Sequence, residues 1–83
     1  MNRLQVWLRP LGSSYRVKVD GNDNAKWLSR RLQDQEVECT QLENNGGTAY
    51  WMFVATAPSP MPRMNLQETI SGMQEVQLML EPA

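Results

Sequence analysis

The chain has no histidine, one cysteine and one phenylalanine among its 83 residues. Without histidine it lacks the commonest general base and the commonest metal ligand. The lone Cys39 cannot close an internal disulfide, and no second sulfur exists for a cysteine-rich metal site. Small domains in oxidising compartments usually carry paired cysteines, so the expected setting is a reducing cytoplasm. No apolar run approaches the ~20 residues that span a bilayer, and no membrane association is expected. The first residues, Met1-Asn2-Arg3-Leu4-Gln5-Val6-Trp7, alternate polar and apolar where a secretory signal would be continuously apolar. Secretion is not expected.

What remains is an ordinary globular composition, 41% hydrophobic and 20% charged. Residues 1–83 are read as a single domain, which at this size hides only roughly two thirds of its unfolded surface. The net charge of −1 conceals a split. Residues 1–31 carry Arg3, Arg9, Arg16, Lys18, Lys26, Arg30 and Arg31 against Asp20 and Asp23. Residues 32–83 carry Arg63 against Asp34, Glu36, Glu38, Glu43, Glu68, Glu75 and Glu81. The split either marks a basic binding face or neutralises itself within the fold or across a dimer. A pI near 5.3 gives no overall pull toward polyanions and favours the second reading.

Period-two alternation marks the strands. Leu4, Val6 and Leu8 alternate with Gln5, Trp7 and Arg9; Tyr15, Val17 and Val19 alternate with Arg16, Lys18 and Asp20. Pro10-Leu11-Gly12-Ser13-Ser14 joins these runs as a hairpin turn. Asp20-Gly21-Asn22-Asp23 offers capping oxygens to a helix over about 24–35, whose apolar stripe is Ala25, Leu28 and Leu32. Val37 and Cys39 mark a third strand, and Asn44-Asn45-Gly46-Gly47 is a turn signal. A fourth strand over about 48–56 is apolar on both faces. Pro58-Ser59-Pro60-Met61-Pro62 reads as a stiff connector. Asn65 with Glu68 resembles a capping box for a helix over about 65–73, and Val76, Leu78 and Leu80 mark a fifth strand.

The expected fold is therefore α+β, a two-layer sandwich in ββαββαβ order with a mixed or antiparallel sheet and both helices on one face. Without its first strand the order βαββαβ resembles the ferredoxin-like arrangement. There the strand before the first helix already has two neighbours. The N-terminal strand must then either displace the last strand or extend the sheet elsewhere.

Three features bear on chemistry. Cys39 shares the apolar phase of Val37, where a small core residue belongs, with neither the base nor the electropositive pocket a thiol nucleophile needs. Glu36 and Glu38 lack the further oxygen ligands of a calcium site and read as a solvated edge face. Gly46-Gly47 fits no nucleotide-binding pattern. No enzyme, cofactor or metal is expected.

The informative surface is the sheet face opposite the helices. Alternation assigns it Gln5, Trp7, Arg9, Arg16, Lys18, Trp51, Phe53, Gln77 and Met79. Large apolar residues there call for a cover. A second copy or another protein supplies one, since Trp, Phe, Met and Arg are enriched in interface cores. The expectation is a non-catalytic interaction module with Trp7, Arg9, Arg16, Lys18, Trp51, Phe53 and Met79 as its contact residues. The alternative is single-stranded RNA binding, because aromatics beside basic residues on a sheet resemble the stacking platform of RNA-recognition domains. The resemblance is of surface type only: Thr48-Ala49-Tyr50-Trp51-Met52-Phe53-Val54 lacks both glycines of that family's pattern. A slip of one residue in the fourth strand would instead send Trp51 and Phe53 under the helices.

Overall fold

A computed structural model describes residues 3–44, 46–57 and 63–82. Strands β1 (Leu4–Leu11) and β2 (Ser14–Asp20) form the expected antiparallel hairpin, with Leu11 opposite Ser14. Gly12, at φ 60°, opens the two-residue turn at the position where such turns need a residue without Cβ. Helix α1 (Asn22–Gln33) buries Ala25, Leu28 and Leu32. Helix α2 (Arg63–Ser71) buries Leu66 and Ile70.

Two short strands lie between the helices on the N-terminal side of β5 (Tyr50–Thr56): β3 (Glu38–Cys39) and β4 (Glu43–Asn44). Strand β6 (Val76–Leu80) ends the order ββαβββαβ. The domain is thus α+β with a six-stranded mixed sheet, one strand more than the alternation indicated. β3 and β4 pair the same edge of β5, and the register steps by one residue between them. At that step Thr40 donates its N–H to the Val54 carbonyl and accepts the Val54 N–H on its side-chain Oγ1. This is a bulged edge strand.

The strand order is β3-β5-β2-β1-β6, with β4 beside β3 on β5. The expected ββαββαβ ferredoxin-like order is not met. In that arrangement β2 and β6 would be neighbours; here β1 lies between them, antiparallel to β2 and parallel to β6. Locality gives the reason. A two-residue turn closes the β1–β2 contact at far lower loop entropy than a pairing across more than fifty residues. β6 takes the edge that remains. Leu4 donates to the Glu75 carbonyl and Leu8 accepts from Glu81, so the even residues of β1 face β6. Pro10 is next in that series but lies past the last pair, Leu8 with Leu80, so its missing N–H breaks no bond of that ladder.

One core joins Val6, Leu8, Tyr15, Val17, Val19, Phe53, Ala55 and Val76 of the sheet to the buried residues of α1 and α2. Both helices therefore cover the same face. Two capping expectations fail. Gly21, not an Asp or Asn, precedes α1, with no side-chain cap. Asn65 lies inside α2 and not at the position ahead of it that a capping box requires. The connector Pro58–Pro62 falls outside the described residues. At the other end of α1, Val37 donates to the Leu32 carbonyl and Glu36 to that of Gln33, with Glu36 at φ 67°. This Schellman closure stacks buried Val37 near Leu32.

Gly21 sits at φ 95°, ψ 136°, and its N–H donates to the Ala49 carbonyl. A side chain there is strained whatever space surrounds it. Gly21→Ala is expected to lower stability by about 1–3 kcal/mol in urea unfolding.

Candidate functional site: the open sheet face

The face opposite the helices is set by register. Trp7 lies opposite Lys18 and Met79, Arg9 opposite Arg16, and Gln5 opposite Gln77. On the other flank of β2, Arg16 pairs with Val54, Lys18 with Met52 and Asp20 with Tyr50. Glu43 of β4 extends the row beyond Met52. Five apolar or aromatic side chains, Trp7, Tyr50, Met52, Val54 and Met79, thus share a face with Arg9, Arg16 and Lys18. No element among the described residues covers them.

The placement of Trp51 and Phe53 corrects the sequence reading. Phe53 pairs with Val17 and Trp51 with Val19, both core residues, so the two rings lie on the helix side. Phe53 is only 2% exposed, and Trp51 is half-buried against the core. Trp7, Arg9, Arg16, Lys18 and Met79 do lie on the open face together. Tyr50, Met52 and Val54 take the places expected for the other two. A signal for this phase exists in the sequence. The odd positions 47–57 contain only Gly, Ala, Trp and Phe, while the even series carries Thr48, the Tyr50 hydroxyl and Thr56. Thr56 meets Ser14 on the open face, Oγ1 to Oγ at 2.7 Å.

At the centre Lys18 lies between two rings. Its Nζ is 5.1 Å from the Trp7 ring centre and 5.3 Å from that of Tyr50. The rings meet edge to face, with centres 5.5 Å apart and planes at 86°. The same Nζ is 3.8 Å from Glu81 Oε2. These contacts fix a long, otherwise mobile side chain and fill the ring faces with the chain's own cation. Arg9 and Arg16 differ. They are exposed, stand directly opposite each other, and form no ion pair among the described residues. Like charges so placed repel, which an anionic partner would relieve.

Cys39 is half-buried rather than fully buried, opposite Ala55 on the helix side. Its Sγ lies 3.9 Å from the Ser29 carbonyl and 3.8 Å from that of Val37. Burial pushes the thiol above its ordinary range, partly offset by hydrogen bonding from the Ser29 side chain. Less thiolate at neutral pH means slower alkylation than in urea-unfolded protein. Because folding raises this pKa, the associated stability is full below the unfolded thiol's pKa and is lost as pH rises through the folded value. Labelling as fast as in the unfolded chain would contradict this placement.

The described residues hold no group of three or more His, Cys, Asp or Glu side chains placed to share a metal ion. No helix among them is long and apolar enough to cross a membrane. Comparison of the chain with protein-family models, curated proteins and solved structures finds no match.

Proposed function

We propose that this chain is a non-catalytic interaction module whose open sheet face is a protein-contact surface, with a second copy of the chain as the favoured partner. The observation that carries the reading is the partly exposed row of Trp7, Tyr50, Met52, Val54 and Met79, which no element among the described residues covers on the side away from both helices. Aromatic and methionine side chains at the centre of a face with charges around them are the composition of an interface core and its rim. Charge layout favours self-contact. Arg9 and Arg16 lie at the hairpin end of the face and Asp20 at the opposite end of β2. A second sheet stacked with its strands reversed brings each Arg pair over the partner's Asp20. A lone, half-buried thiol suits a reducing compartment, and the cytoplasm is the proposed location.

Single-stranded nucleic acid is the second reading, supported by the facing Arg9 and Arg16, which would suit a phosphate. It ranks lower because Lys18 already occupies the Trp7 and Tyr50 rings, which bases would need for stacking.

Sedimentation across a concentration series, with and without a single-stranded RNA oligonucleotide, separates the two. The protein reading expects self-association through this face that Met52→Lys abolishes. Trp7→Ala should weaken it by about 2 kcal/mol, roughly 30-fold in Kd. A strict monomer whose tryptophan fluorescence is quenched by RNA, with affinity falling steeply as salt rises, would replace it with the nucleic-acid reading.

A further inference from the structure

The two edges of the sheet are built differently. The β3/β4 edge is short, bulged at Thr40–Leu42 and lined by exposed Glu38 and Glu43. Those features discourage another strand from adding. The β6 edge has none of them. Val76-Gln77-Leu78-Met79-Leu80 carries no charge or proline and keeps an unbroken five-residue register with β1. It also bears two of the three exposed large hydrophobics among the described residues, Met79 at 38% and Leu80 at 59%.

We propose that a second copy of this chain adds to β6 in antiparallel fashion, about a two-fold axis at Met79, joining two sheets into one. The proposal does not depend on what covers the open face. The Leu4–Glu75 and Leu8–Glu81 bonds show that the odd residues of this segment turn their backbone toward β1. Leu78 and Leu80 therefore present N–H and C=O to the free edge.

The occupant follows from the sequence of the edge. Gln77-Leu78-Met79-Leu80-Glu81 reads nearly the same in both directions, with Gln and Glu of equal length flanking Leu-Met-Leu. A two-fold contact needs this self-complementarity. With the axis at Met79, Leu78 faces the partner's Leu80, and each such pair exchanges two backbone bonds, four in all. Met79 meets the partner's Met79, and the Gln77 amide can donate to the partner's Glu81. An axis at Leu78 would instead set Glu75 opposite the partner's Glu81, two like charges. The ladder ends where donors end: the Val76 N–H is bound to the Met73 carbonyl, and Pro82 has none. So short a ladder buries well under the about 1,200 Å² of a standard interface, which places half-dissociation in the high-micromolar range.

Leu80→Pro is the sharpest test, because it deletes an outward-facing N–H and no bond to β1. In a Met52→Lys background, which removes association through the open face, sedimentation equilibrium should still show dimers toward millimolar concentration. Adding Leu80→Pro to that background should leave a monomer with an unchanged circular dichroism spectrum. A second measurement needs no dissociation. In a Cys39→Ala background, Met79→Cys should form a disulfide-linked dimer in oxidised glutathione, since such non-hydrogen-bonded pairs hold Cα atoms about 4.5 Å apart. Gln77→Cys should stay largely unlinked. A Met52→Lys variant that stays monomeric up to millimolar concentration leaves association to the open face alone and overturns the edge proposal. So does a wild-type monomer throughout, or equal cross-linking at positions 77 and 79. Loss of association in Leu80→Pro, with Met52→Lys still dimeric, upholds the edge proposal and counts against face-to-face pairing.

Discussion

Phe53→Ala is expected to cost about 3–5 kcal/mol, measured as the shift in urea midpoint at constant m-value. The ring is 2% exposed, lies opposite Val17 and belongs to the single core shared by sheet and helices. Removing it leaves a cavity between two layers that strands on either side prevent from collapsing. A domain of this size has a total stability of only about 5–15 kcal/mol, so the variant should lose a large part of it. Its neighbour supplies the control. Val54 points to the open face, and Val54→Thr should stay within about 0.5 kcal/mol of wild type. A reversed order, with Val54 sensitive and Phe53 tolerant, would return Phe53 to the open face.

The second large effect concerns α2. Nine residues are too few to hold a helix alone in water, where ~12–15 are needed even for good formers. Its anchorage is Leu66 and Ile70, both fully buried. Ile70→Ala should therefore cost about 2–5 kcal/mol, and at roughly 4–8 °C per kcal/mol the melting temperature should fall by at least about 8 °C. A change below about 1 kcal/mol would mean that α2 is not docked on the sheet.

These two sites mark the limits of what the sequence disclosed. The β1–β2 hairpin was legible because both strands are apolar on one face only, so alternation fixed their phase as well as their existence. The stripe Ala25, Leu28 and Leu32 placed α1 on the core for the same reason. β5 was different: it is apolar on both faces, and hydrophobicity alone could not decide between Trp51/Phe53 and Tyr50/Met52/Val54. The polar atoms at the ends of the even series held the information, and register against β2 settles it. β4 leaves no hydrophobic signal, because Glu43–Asn44 is two exposed polar residues, held by pairing to β5 and not by burial. Asn44 also closes the turn beyond it, its Oδ1 accepting from the Gly47 N–H at 2.7 Å. The strand order depended on competition for the edge of β2, a property of loop entropy and not of any residue type.

The open face itself was partly legible. Trp7, Arg9, Arg16 and Lys18 follow from the phase of the hairpin, and Met79 from that of β6. The seating of Lys18 between Trp7 and Tyr50 did not, because it joins three strands whose register no single segment encodes. That seating separates a protein-contact surface from a base-stacking one, so the functional ranking depends on the feature least visible in the sequence.

Methionine oxidation by hydroxyl radicals, read residue by residue in dilute monomeric protein, reports whether the open face is uncovered in the free chain. Met52 and Met79 on the open face should oxidise several-fold faster than Met73, which is buried at the foot of α2. Comparing one residue type removes differences in intrinsic reactivity. Met52 reacting as slowly as Met73 in the monomer would mean that the chain covers this face itself, and the proposed contact surface would not exist.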